Sequence, residues 1–158
     1  MIALIQRVKH ARVLVENKVV GSIEAGLLVF LGVASDDREG DVELLSRKLV
    51  QLRIFSDAEG KMNKSVLDVH GEILVVSQFT LLANASQGNR PSYIAAARPE
   101  KAIPLYELFV NQCRNLLGKE IKTGIFGADM QVELLNDGPV TLHLDTANGF
   151  SSPLSRNY

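Results

Sequence analysis

Ile, Leu and Val crowd residues 1–8 and 11–16, the pattern of strands, and Glu16-Asn17-Lys18 supplies a hairpin turn into Val19-Val20. Gly26 to Val33 is a short unbroken apolar run bounded by glycine, which suits a strand buried on both faces; periodicity alone also admits a helical segment. Beyond the polar loop 35–40, Val42, Leu45, Leu49 and Leu52 recur at helical spacing with Glu43, Arg47 and Lys48 opposite, predicting a helix from about Asp41 to Leu52. Arg53-Ile54-Phe55 reads as a short strand and Asp57-Ala58-Glu59-Gly60 as a turn. Glu72 to Val76 is a strand that runs directly into Ser77-Gln78-Phe79-Thr80, and the small, polar residues 83–92 form a surface loop.

A second helix carries Ile103, Tyr106, Phe109, Val110, Cys113 and Leu117 on its apolar side and stops at Gly118. Pro99 fits a first turn, but Pro104 is unsuited to a helix interior, which moves the expected start nearer 103 than 99. Met130, Val132 and Leu134 then alternate with polar residues, as do Val140, Leu142 and Leu144, predicting two strands around a tight connection at Asn136-Asp137-Gly138-Pro139. Residues 146–158 have no period and read as a loose, flexible tail behind a domain spanning 1–145. The sum is an α/β chain: a strand-dominated single domain of layered β-sheet with two main helices.

Composition narrows the function. At 158 residues the chain can bury one sizeable core, and no apolar run is long enough for a membrane span. The start, Met1 to Arg7, lacks the basic leader and cleavage site of a signal peptide, so a cytoplasmic protein is expected. A net charge of −1 gives no global basic signature; a nucleic-acid partner has to be held by local patches or reached at one end. Cys113 is the single cysteine, on the apolar side of a helix, and reads as a buried, inert thiol. The nucleophile elbow, the phosphate loop and the dinucleotide loop are all missing. His10, His70 and His143 share no metal-ligand spacing, so neither a metal nor another cofactor is expected. Any catalysis should therefore rest on backbone dipoles, hydroxyls and the substrate itself.

Two places stand out. Ser77-Gln78-Phe79-Thr80 ends a buried strand with polar side chains, which is either a strand leaving the core or a site built from strand-end N–H groups. Asp137-Gly138-Pro139-Val140 is either an ordinary turn or something more specific, and neither segment by itself identifies a substrate.

Together, Ser77-Gln78-Phe79-Thr80-Leu81 and Asn136-Asp137-Gly138-Pro139-Val140-Thr141 resemble the two signature segments of the D-aminoacyl-tRNA deacylases. Met1 to Val8, Arg53 to Asn63, Gly88 to Ser92 and Asp129 to Val132 are similar to further family segments, in the right order across residues 1–145. Leu82-Ala83-Asn84 departs from the family's usual small-residue-then-Asp ending, and the tail is longer than the family minimum. The resemblance implies the family's fold and a homodimer with two active sites shared at the subunit interface. It implies hydrolysis of D-aminoacyl-tRNA, and of glycyl-tRNA mischarged on an alanine tRNA, with tRNA as partner and neither DNA nor membrane. Ser77, Gln78, Phe79 and Thr80 would line the pocket around the aminoacyl ester. A cis Gly138-Pro139 pair would enter the partner's pocket and crowd the space an L side chain needs.

Thr80 as a nucleophile is one implied mechanism; backbone N–H groups near Phe79 and Thr80 aided by the tRNA 2′-OH are the other, preferred because no base is evident. Arg7 is expected to steady the Gly138-Pro139 segment or to be a strand-edge surface residue, and Met130 to line the pocket or pack the core. The rivals are an editing domain for a noncognate L-amino acid, a noncatalytic RNA-binding module on the same fold and, more distantly, a purely structural dimerisation protein.

Overall fold

The computed structural model describes residues 1–150. Its frame is β1 (Ile2–Val15), one unbroken strand where the sequence pattern suggested two. The turn at Glu16 and Asn17, both with positive φ, returns the chain into β2 (Lys18–Ile23), and β3 (Gly26–Gly32) then lies antiparallel to β1. One flank of β1 thus carries β3 against its first half and β2 against its second. β6 (Glu72–Ser77) pairs parallel to β3, and the two-residue β7 (Lys122–Thr123) pairs parallel to β6. β8 (Gln131–Asp145) covers the other flank of β1 along nearly its whole length.

The sheet curls until β2 nears β7. A Cβ on Gly21 would lie 2.4 Å from the Thr123 carbonyl oxygen, so only glycine permits that approach. Period-two alternation then sorts the core. Leu27, Val29 and Leu31 of β3, with Ile73 and Val75 of β6, face the helices α1 (Glu39–Gln51) and α2 (Pro99–Leu117). Leu28, Leu74 and Val76 point the other way and join Val8, Ala11, Val13 and Ile23 in a second cluster. Both faces of the central strands are therefore dry, which explains why their sequences are continuously apolar.

The helix α1 presents Val42, Leu45 and Leu49 inward, as the spacing required, and the Asp41 carboxylate accepts the Arg38 N–H to start it. A short hairpin, β4 (Phe55–Ser56) and β5 (Met62–Lys64), follows. Its strand begins later than expected: backbone pairing to β5 starts at Phe55 opposite Lys64, and Arg53 reaches Asn63 only through its side chain. The start of α2 needs correction too. It lies at Pro99, and Pro104 sits inside it, exposed on the solvent side near the first turns, where a missing N–H leaves only one early carbonyl unpaired. Gly118 ends α2 in the left-handed conformation at φ +68°.

The expected pair of strands around Asp137–Pro139 is also corrected. Gln6 faces Thr141 and Val8 faces Asn136, so two steps along β1 correspond to five along β8, and both halves run in one direction. The segment is an outward bulge within a single strand. Of the residues read as a tail, Thr146–Asn148 form a 3-10 turn and Phe150 packs against the helix-side core; residues 151–158 lie outside the described region. The turn meets the chain start: the Met1 ammonium donates to the buried Asp37 carboxylate at 2.5 Å and to Thr146 Oγ1 at 2.8 Å.

Candidate active site

β6 stays in register with β3 to its last residue, and the Gln78 N–H still bonds the Leu31 carbonyl at 2.8 Å. The chain then breaks into a 3-10 turn at Phe79–Leu82. The first N–H groups of such a turn have no partner inside it. No protein acceptor among the described residues engages the Phe79 or Thr80 N–H. Two backbone donors are thereby left at the end of a buried strand.

Beside this strand end opens a cavity of about 570 Å³. Ser77, Gln78 and Phe79 line it together with Tyr93, Ala96, Ala97 and Ala102 and with Phe126, Met130 and Val132. Exposed Phe79 meets the Tyr93 ring edge-on at 5.0 Å, which props the mouth of the cavity. At the floor, the Tyr106 hydroxyl donates to the Val75 carbonyl at 3.0 Å and its ring packs against Phe126. Burial pushes the Tyr106 phenol up to about 12, so it stays neutral.

The lining contains no Asp, Glu, His, Lys, Arg or Cys. Thr80 lies just outside it, half-buried, and its hydroxyl oxygen accepts a hydrogen bond from the Gln78 side-chain amide. An amide cannot take the proton that an attacking hydroxyl must lose. Cys113 is no substitute: it is fully buried in the core, with its thiol pushed up to about 12. The site can offer fixed N–H dipoles, a hydroxyl and a dry wall, but no side chain that exchanges protons near neutrality.

Arg7, Gly138 and Pro139 sit elsewhere. Arg7 pairs with Leu27 at the start of β3, whereas Ser77 pairs with Leu31. Four residues along a strand put roughly 13 Å between those levels, so one chain holds the two segments at opposite ends of its sheet. The Gly138–Pro139 peptide is cis and both residues are exposed on the bulge. Gly138 has φ +121°, and a Cβ there would lie 2.9 Å from Arg7 Nη2, so no other residue fits without strain. Arg7 is no free surface arginine. Its Nε donates to the Asp137 carbonyl at 3.2 Å and its Nη1 to the Ile54 carbonyl at 2.5 Å, and its guanidinium pairs with the Asp137 carboxylate.

Ser77, Gln78, Phe79 and Met130 therefore share one cavity, Thr80 borders it, and Arg7, Gly138 and Pro139 form a second constellation. Sequence reasoning missed Tyr93, Tyr106 and Phe126. Tyr106 looked like core from its helical spacing, and only Tyr93, alone in a polar loop, carried a readable signal.

The family described as D-Tyr-tRNA(Tyr) deacylase matches residues 4–145. A D-aminoacyl-tRNA deacylase of Cytophaga hutchinsonii is 61% identical over 148 residues, covering 94% of this chain and 99% of its own. One from Thermosipho africanus is 56% identical over 150 residues, covering 95% and 100%. Among solved structures, one titled c-Myc DNA Unwinding Element Binding Protein superposes with a TM-score of 0.87 at 42% identity, covering 92% of this chain and 98% of its own. A probable eukaryotic D-amino acid tRNA deacylase superposes with a TM-score of 0.79 at 18% identity, covering 90% and 97%, a likeness of fold alone.

Proposed function

The chain belongs to the D-Tyr-tRNA(Tyr) deacylase family and hydrolyses D-aminoacyl-tRNA; we propose that it does so in pockets completed by a second copy of itself. The observation that supports the hydrolytic chemistry is the strand end at Ser77–Thr80, where two unengaged N–H groups stand beside a cavity without titrating groups near neutrality; the one that supports a second copy is the distance of Gly138 and Pro139 from that cavity. Such donors are suited to an ester oxygen that becomes negative as water attacks, because they need no reorganisation during the step. Water adds to the ester carbonyl, the Phe79 and Thr80 N–H groups hold the oxyanion, and the carbonyl–ribose oxygen bond breaks as the ribose oxygen regains a proton. With no base in the protein wall, the neighbouring 2′-OH of the tRNA terminal adenosine orients and helps deprotonate the water.

Stereochemistry belongs to Gly138 and Pro139. Exposed on a bulge far from the cavity of their own chain, they are free to enter that of a second copy. Their carbonyl oxygens face the substrate α-amino group and occupy the volume an L side chain needs. A filter of main-chain atoms reads configuration and ignores side-chain identity, so many D-aminoacyl esters pass, and glycyl-tRNA mischarged on an alanine tRNA passes with them. The working form is then a cytoplasmic homodimer acting on the 3′ end of tRNA.

The test is deacylation of D-tyrosyl- and L-tyrosyl-tRNA side by side. Loss of the D ester alone is expected; equal cleavage of both would point to an unselective or L-directed editing domain, and binding without cleavage to an RNA-binding module.

A further inference from the structure

We propose that Asn136 is a positioning residue for stereochemical discrimination: its amide closes the neck of the β8 bulge and so fixes the direction in which Gly138 and Pro139 project. The inference rests on reading those two residues as the filter.

The three surplus residues of the bulge leave β8 between Asn136 and Val140, where the ladder to β1 jumps register. Such a jump leaves backbone carbonyls without ladder partners. Asn136 Nδ2 supplies them, donating to the Arg7 carbonyl and to the Val140 carbonyl, each at 3.0 Å. The first bond ties the neck to β1; the second ties the two sides of the neck together. Oδ1 of the same side chain accepts from Thr141 Oγ1 at 3.3 Å, and that hydroxyl accepts from Gln6 Nε2 at 3.3 Å, so the amide cannot rotate without breaking contacts at both ends.

Few side chains can do this. The position needs two donors and an acceptor on a short stem, which among the twenty residues describes asparagine. Aspartate has the same shape but would turn a carboxylate oxygen on two carbonyl oxygens, and glutamine is one methylene too long for the gap. Arg7 grips the loop one residue beyond Asn136, at the Asp137 carbonyl. The bulge is thus held at its base and at one shoulder, while Gly138 and Pro139 stay exposed. A filter that excludes by contact fails when it moves by about 1 Å, so a loosened neck admits the L ester. Asn136 lies at the end of the sheet away from the cavity of its own chain. Its effect is therefore felt in a partner's pocket.

Single-turnover deacylation of D- and L-tyrosyl-tRNA by Asn136→Asp and Asn136→Ala, with Pro139→Ala alongside, tests this. For each Asn136 variant the L rate is expected to rise in absolute terms and the D-to-L ratio to fall at least about tenfold, the scale of one or two lost hydrogen bonds. If Pro139→Ala lowers the ratio and neither Asn136 variant does, the positioning role is overturned and the filter stands. If Pro139→Ala leaves the ratio intact, the filter reading fails first. A parallel loss of both rates at constant ratio in a folded Asn136 variant would show plain structural damage and also overturn the proposal. Should the aspartate variant not fold, the neutral alanine variant carries the same comparison.

Discussion

The hydroxyl of Thr80 receives a hydrogen bond from Gln78 and has no base beside it, an arrangement that suits a bystander better than a nucleophile. Thr80→Ala is therefore expected to keep at least about a tenth of the D-tyrosyl-tRNA deacylation rate, because at most one hydrogen bond of about 1 kcal/mol is lost. Near-total loss in a folded variant, read by single-turnover kinetics, would restore the acyl-enzyme route. The sequence showed only that no motif beside Thr80 supplies a base; which of its histidines and carboxylates lie away from the cavity needed the fold. Arg7 was legible only as a pair of alternatives. Its partners are the carbonyls of Ile54 and Asp137, and carbonyls leave no trace in a string of letters. Asn136 stood in plain view within a quoted motif, but the register jump that gives its amide two acceptors could not be read from the motif.

Secondary structure was readable where period and burial agree, as in α1, was left open in the unbroken apolar run of β3, and was misread where distant strands decide. Asn-Asp-Gly-Pro between alternating runs looks the same whether the chain turns back or bulges outward. The choice is made by β1, which binds both halves of β8 from far away in sequence. Helix α2 is a local case: Pro104 is exposed, so its ring adds no packing and its missing N–H is pure loss. Pro104→Ala should stabilise the protein by about 1–3 kcal/mol, part of the proline penalty being returned through the freer unfolded chain; an unchanged or lower urea midpoint would refute this. Gly21→Ala should act oppositely, costing about 1–3 kcal/mol as β2 is pushed off β7. In the β4–β5 hairpin, the Asn63 side chain and the N–H groups of Lys61 and Glu59 hold the Asp57 carboxyl below its ordinary value. A depressed folded value means that its stabilisation is present above the ordinary aspartate range and lost as pH falls through the folded value. Asp57→Asn should accordingly flatten the acid limb of a urea-midpoint profile relative to the parent chain.

For the molecule as a whole, the alternation of apolar residues foretold a strand-rich layered domain but not the curl that brings β2 to β7, because closure depends on glycine at one crossing. The same global view shows why the chain start matters. The Met1 ammonium, the Asp37 carboxylate and Thr146 join β1, the loop before α1 and the turn after β8 in one buried contact. Asp37→Ala strands an ammonium and the Ala34 N–H, and is expected to cost about 3–5 kcal/mol, measured as a shift in the denaturant midpoint. Deep in the same helix-side core lies the single thiol. Sealed at 0% exposure and held protonated, Cys113 cannot meet a disulfide reagent unless the packing around it parts. The protein therefore carries its own stopwatch: with reagent in excess, the pace at which its one thiol is labelled reports how often the interior opens.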